Sequence, residues 1–251
     1  MDKRTDAQIY IYAHKPVPYG IWDNLLYTPL QVGDGERFLD LRDSDGEDNI
    51  APANPIFAEN TGLYWVWKHH PKDLKYIGVC QYRRRLSFPE YFIFDEVFKE
   101  YDAIAAEPIR MPCVRRQYAD CHSGKDMMVL EETIRQIYPD YAADFDNFIN
   151  RGTTLYYSNG MVMRASDFDK YCEWLFRILF KFIENNGWVS MNEVENSVWY
   201  EIHNGHRNGA SGLRYQEQIC GFLSERLLTL WLLHNFKVLE VPYKKYENLI
   251  I

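Results

Sequence analysis

The stretch that most constrains this chain is Lys75 to Leu86, KYIGVCQYRRRL. Its first half, Tyr76, Ile77, Gly78, Val79 and Cys80, is a short apolar run bounded by polar residues, the pattern of a buried central strand. Its second half places Gln81, Tyr82 and the arginines Arg83, Arg84 and Arg85 where that strand emerges. Open α/β sheets bind ligands just beyond the carboxyl ends of their strands. Guanidinium forks there suit a phosphate, because each can hold two oxygens at once. The plainer reading is a basic surface turn paired with some of the 36 acidic residues.

The flanking segments supply the rest of an α/β fold. Ile9 to Ala13, IYIYA, reads as the first strand, followed at once by His14, Lys15 and Pro16. Tyr27 to Gly33 is a short extended piece. Asp40 to Asn49 is a solvated acidic loop; its Asp43, Asp45 and Asp48 lack the glycine and terminal glutamate of a calcium loop. Asn54-Pro55 opens helical sequence, and Glu59 to His69 is amphipathic. Ala103 to Glu107 is a further strand, and Arg110 to Lys125 reads as a long irregular stretch. Helices follow over Asp126 to Ile137 and Tyr141 to Asn150. Thr154 to Arg164 reads as a strand interrupted at Ser158, Asn159 and Gly160, where a glycine marks a bulge or the close approach of a ligand. Asp167 is placed as the cap of a buried helix over Phe168 to Ile183. Asn185 to Gly212 reads as an irregular excursion, Tyr215 to Asn235 as one long helix, and Lys237 to Val241 as a last strand. The tail, KKYENLII, either docks on the body or lies loose.

Length and composition set outer bounds. A chain of 251 residues with 47% hydrophobic and 25% charged residues suits a single α/β domain. Its net charge of −8 opposes nucleic acid and anionic membrane surfaces. The five cysteines are scattered, without metal-ligand spacing, as in a reducing cytosol. The N-terminus lacks the apolar core of a signal peptide, and no apolar run reaches the roughly 18 residues of a membrane span, so membrane contact is expected to be peripheral. Dinucleotide and Walker fingerprints, the nucleophile elbow and the zinc-protease motif are all missing.

The segments YAHKP (Tyr12 to Pro16), QVG (Gln31 to Gly33), GEDNI (Gly46 to Ile50), Asn54-Pro55, LYWVWK (Leu63 to Lys68), YIGVCQYRRRL, PDY (Pro139 to Tyr141), SNGMVM, YCEWLF (Tyr171 to Phe176) and GFLSERL (Gly221 to Leu227) occur in a specific order. In that set the chain resembles the bacterial domain-of-unknown-function family 4422, whose members are labelled glycosyltransferases of surface-polysaccharide gene clusters. It departs at Gln81, where the family more often has His, and at Asn159-Gly160, near which it more often has Asn-Met. The resemblance implies a GT-A-like α/β fold with a nucleotide-sugar-binding sheet and a helical C-terminal part. Residues 1–110 would mainly bind donor, and 111–251 would form the acceptor side and C-terminal helices.

It further implies transfer of a hexose, such as galactose in pyranose or furanose form, from a UDP-sugar. The acceptor would be a growing glycan, lipid-linked at the cytoplasmic face of the membrane. Many GT-A enzymes carry an Asp-x-Asp metal motif at the end of a central strand; here Gln81-Tyr82-Arg83-Arg84 stands in that place. The expectation is therefore metal-independent transfer, with arginines neutralising the leaving diphosphate and a need for Mn²⁺ or Mg²⁺ left open. Donor contacts are assigned to His14, Lys15, Asp48, Asn49, Tyr82, Arg83 and Arg84, and acceptor contacts to Asn159 and Gly160. The catalytic base is sought among His122, Asp126, Glu217 and Glu225. The competing functions are a non-catalytic nucleotide-sugar or glycan-binding module and a phosphate-ester-processing enzyme.

Overall fold

Alternation along the first strand decides the layering. In the computed structural model, which describes residues 6–16, 26–89 and 92–245, β1 (Ala7–Ala13) is buried on both faces. Tyr10 and Tyr12 enter one apolar cluster while Ile9, Ile11 and Ala13 enter another, because successive strand side chains alternate. β1 lies between two parallel neighbours, β2 (Tyr27–Gln31) and β3 (Tyr76–Gln81). β3 pairs antiparallel with β8 (Met161–Arg164), β8 antiparallel with β5 (Ala103–Ala106), and β5 parallel with β9 (Val238–Val241). β4 (Arg84–Leu86) joins β3 only where Gln81 faces Arg84, and β10 (Tyr243–Lys245) pairs with β4. A separate ribbon pairs β6 (Ile109–Arg110) with β7 (Thr154–Leu155).

Gly78 explains why the central strand carries a glycine. It pairs with Ile9 on one side and Val162 on the other. A Cβ there would come within 2.8 Å of the Met161 carbonyl oxygen and 3.0 Å of the Ile9 side chain, so the strands can close up only around glycine.

The helices are α1 (Asn54–Phe57), α2 (Asn60–His69), α3 (Phe94–Val97), α4 (Val114–Cys121), α5 (Gly124–Ile137), α6 (Ala142–Arg151), α7 (Ala165–Asn185), α8 (Met191–His203), α9 (Leu213–Gln216) and α10 (Ile219–Asn235). Residues of α2, α4 to α8 and α10 pack on the face bearing Tyr10 and Tyr12. Leu86, Phe98, the loop aromatics Phe88 and Phe92, and Phe94 of α3 cover the other face. α10 is buried continuously from Ile219 to Leu232, as expected of a helix apolar around most of its circumference. This is the mixed α/β architecture anticipated, a mostly parallel sheet flanked by helices with a helical C-terminal part. Strands from both halves of the chain enter the one sheet.

Five local expectations need correction. The stretch 110–125 contains α4, whose Val114 and Tyr118 are buried one turn apart; Pro112 and the outward Arg115 and Arg116 mask that period. The stretch 185–212 contains α8, opened by a capping box between Ser190 and Glu193 and buried through Val194, Val198 and Glu201. α7 begins at Ala165, so Asp167 lies in its first turn and is not its cap. The helix expected over 215–235 breaks at Glu217 and Gln218. In the acidic loop Asp43 is not solvated: it is fully buried. The tail beyond residue 245 lies outside the described residues.

Candidate active site at the carboxyl edge of the sheet

β1 and β3 end side by side. Tyr12 is opposite Gln81, and the Tyr82 amide donates to the Tyr12 carbonyl at 3.0 Å. His14 and Tyr82–Arg83 are thereby brought to one place. Arg83 Nε donates to Tyr82 Oη at 2.7 Å, and one terminal nitrogen of Arg83 lies 3.5 Å from His14 Nε2. The His14 ring meets Tyr82 edge-on with centroids 5.4 Å apart. Desolvation, then the charges of Arg83 and Lys15, lower the His14 pKa. An imidazole discouraged from protonation by neighbouring cations marks a region of positive potential.

The three arginines diverge. Arg84 lies over the Tyr157 ring at 4.4 Å, with a terminal nitrogen 3.5 Å from Gln81 Oε1. Arg85 turns to the opposite face and covers Tyr27 at 5.0 Å. Among the described residues, neither Arg83 nor Arg84 forms a side-chain ion pair, although the Arg84 charge reaches the carboxyls of Glu59 and Glu225. The basic-turn reading required such partners.

Behind the arginines lies a polar network that joins Asn159 and Glu225, both expected at the site, to Glu59, which the sequence did not single out. Glu59 precedes α2, and its Oε1 accepts from Gln81 Nε2 at 2.7 Å and Asn159 Nδ2 at 3.3 Å. Asn159 Nδ2 also donates to Ser224 Oγ at 2.9 Å, which accepts from Asn60 Nδ2 at 2.9 Å. One residue along α10, Glu225 Oε1 accepts from the Ser158 amide at 2.8 Å, and Oε2 accepts from Arg226 at 2.9 Å. Gly221 makes this approach possible: a Cβ there would lie 2.9 Å from Ala58 Cβ, beside Glu59.

Burial pushes the Glu225 carboxyl up to about 7; Arg226 opposes this and the charge of Glu59 adds to it. Burial also raises Glu59, against hydrogen bonds from its own backbone, Gln81 and Asn159 and the charge of Arg84. The backbone is strained at the same place. Ala58, Ser158 and Asn159 are the non-glycine residues with positive φ among those described. Each such conformation costs on the order of 1–3 kcal/mol and such strain clusters at functional sites. The signal in the 158–160 stretch thus resides in Ser158 and Asn159; Gly160 is ordinary extended backbone at φ −76°.

The other expected site residues lie elsewhere. Asp126 is buried in an ion pair with Arg207 at 2.6 Å and accepts from Tyr118 Oη at 2.8 Å. Arg207 also holds Glu201 at 2.8 Å. His122 stacks on Phe222 with centroids 3.9 Å apart, and its Nδ1 lies 3.2 Å from Gln216 Oε1. Burial lowers its pKa to about 4. Glu217 is buried 4.0 Å from Arg214, and desolvation raises its pKa. Asp48 accepts from Tyr64 Oη at 2.8 Å, and Asn49 bonds within its own loop, so neither is drawn toward His14 or Arg83. Nor do the loop carboxylates converge. Asp43 bonds Thr61 and the Gly33 amide, Asp45 is clasped by Arg37, and Asp48 faces α2.

Fold and edge together define an α/β protein with a cationic mouth at its strand ends and a carboxylate pair behind it. The chain belongs to the family described as "Domain of unknown function (DUF4422)", whose model matches residues 8–199. Among solved structures it is similar to the apo form of the bifunctional glycosyltransferase WbbM, with a TM-score of 0.74 and 22% sequence identity. That likeness covers 96% of this chain and 45% of the WbbM chain, so this chain spans less than half the length of that protein. No curated protein matches.

Proposed function

We propose that the protein is a glycosyltransferase that moves a hexose from a UDP-sugar to a growing surface glycan. Galactose, as pyranose or furanose, is the first sugar to try. One observation carries the reading: His14, Lys15, Arg83 and Arg84 gather at the ends of two parallel strands, and neither arginine has a carboxylate partner among the described residues. A sheet edge of this kind is where α/β folds hold nucleotides, and guanidinium groups outside ion pairs stabilise the charge that develops on a leaving diphosphate. The family match and the likeness to a glycosyltransferase fold support it.

In this reading Tyr82 positions Arg83, the arginines act in place of a metal, and Asn159 lies on the acceptor side. Asp126 and His122 support the fold, being committed to Arg207, Tyr118 and Gln216. A lipid-linked acceptor would bring the enzyme to the inner face of the cytoplasmic membrane. No helix among the described residues is long and apolar enough to cross a membrane.

Thermal-shift titration with UDP, UDP-galactose, UDP-glucose, GDP-mannose and inorganic phosphate tests the donor class, since a ligand selective for the native state raises its apparent stability. The expected result is a shift with UDP compounds that persists in EDTA and is lost in Arg83→Ala. Equal response to free phosphate and UDP, or none to any nucleotide, refutes the reading.

A further inference from the structure

We propose that Glu59 is the catalytic base of the transfer, with Glu225 as the neighbouring carboxyl that carries the proton of the pair. This rests on the glycosyltransferase reading above and assigns a role to a residue outside the motif that suggested that reading.

Accessibility separates the two carboxylates. Both oxygens of Glu225 are engaged, one by the Ser158 amide and one by Arg226, and the residue is only 7% exposed. Glu59 Oε1 is held by Gln81 and Asn159, and the carboxylate also accepts from its own backbone amide. Its Oε2 accepts no hydrogen bond from any other described residue, and it is not among the buried side-chain atoms left without a partner. Glu59 is half-buried, and apart from its own amide no described residue competes for its second oxygen, which a base needs if it is to reach a substrate hydroxyl. Gln81 links it to the donor side: Nε2 holds Glu59, and Oε1 lies 3.5 Å from Arg84. Base and leaving-group cation are therefore set by one side chain at the end of β3.

The charged and titratable groups around Glu59 come from four directions. Arg84 on β4 favours its ionised form. Tyr12 on β1 feels its charge, as does Tyr157 on the turn before β8. Glu225 on α10, flanked by Arg226, is pushed toward protonation by Glu59. Like charges this close favour one shared proton. Burial raises both carboxyls, and we place the shared proton on Glu225, which leaves Glu59 to accept.

The reaction then balances. The acceptor hydroxyl oxygen forms a bond to the anomeric carbon while its proton passes to Glu59 Oε2. The bond from that carbon to the diphosphate oxygen breaks, its electron pair leaving on UDP beside Arg83 and Arg84. Attack opposite the leaving group inverts the anomeric centre.

The test compares wild type, Glu59→Gln, Glu59→Asp and Glu225→Gln, with folding checked by circular dichroism. UDP affinity is measured by calorimetry, and UDP release from UDP-galactose and UDP-glucose is measured with water or a bacterial glycan extract as acceptor. Glu59→Gln should lose about 10²- to 10⁴-fold in turnover while binding UDP within about twofold of wild type. Glu59→Asp should recover part of the rate, and Glu225→Gln should remove the change in rate that ionisation of Glu225 produces around pH 7. The inference is overturned if folded Glu59→Gln turns over at the wild-type rate, if it loses UDP affinity in step with turnover, or if the product retains the anomeric configuration. A wild type that binds UDP but releases none from either sugar is a binding module, which also overturns it. A wild type that binds no UDP fails one step earlier, at the function itself.

Discussion

Replacing Arg83 or Arg84 by alanine should separate ligand binding from stability. Neither side chain forms an ion pair among the described residues. Arg83 spends one hydrogen bond on Tyr82 Oη at 2.7 Å, and Arg84 rests on the Tyr157 ring at 4.4 Å. Truncating such groups at a surface usually changes stability by within about 0.5 kcal/mol. A hydrogen bond to a charged group contributes about 1.5–3 kcal/mol, so each arginine that grips the diphosphate should contribute about 10- to 150-fold in UDP affinity. Arg83→Lys should recover only part, because an ammonium keeps the charge but not the planar fork. Arg85→Ala serves as the internal comparison, since that side chain covers Tyr27 on the other face, and its UDP affinity should match wild type. Calorimetry at two salt concentrations provides the measurement. Exposed Arg83 should lose more of its contribution at high salt than half-buried Arg84. Equal losses in all three alanine variants, or none in Arg83→Ala and Arg84→Ala, would refute the assignment of the strand mouth to phosphate.

Asp126→Asn should destabilise the fold by up to about 3–5 kcal/mol in urea melts, because it removes one of the two carboxylates that hold the buried Arg207, and should leave the UDP affinity of the folded protein unchanged. His122 is held neutral, its pKa lowered to about 4 from 6.5. Between those values the unfolded chain binds more protons, so stability should rise with pH across that window by about 3 kcal/mol and flatten in His122→Phe. Glu225 acts with the opposite sign. Its pKa is raised from 4.5 to about 7, so its contribution is complete below 4.5, falls as pH rises to 7, and should vanish in Glu225→Gln. Gly78→Ala should lower the melting temperature sharply, since its Cβ would meet the Met161 carbonyl at 2.8 Å; an unchanged melt would refute the packing account of that glycine.

Much of the frame was legible because it depends on local pattern. The apolar runs of β1, β3 and β5 and the periodicity of α2, α5 and α6 are visible over windows shorter than the elements themselves. The arginines after β3 could be read as a strand mouth for the same reason. Two helices were missed where a weaker signal was available: the Ser190 to Glu193 capping box for α8, and the Val114 and Tyr118 pair for α4.

The sequence by itself determined which segments must be buried and where positive charge emerges, because burial and alternation are set within a few residues. Only the tertiary structure decided which carboxylates share that mouth. Glu59 meets Asn159 across 100 positions of chain, and Ser158 meets Glu225 across 67. Nothing in the local pattern distinguishes Glu59 from a solvated helix-end charge, or Glu225 from a helix carboxylate paired with a neighbouring arginine. Their environment is made when α10 closes over Ala58 at Gly221, and desolvation by groups so distant in the chain is a property of the assembled packing alone.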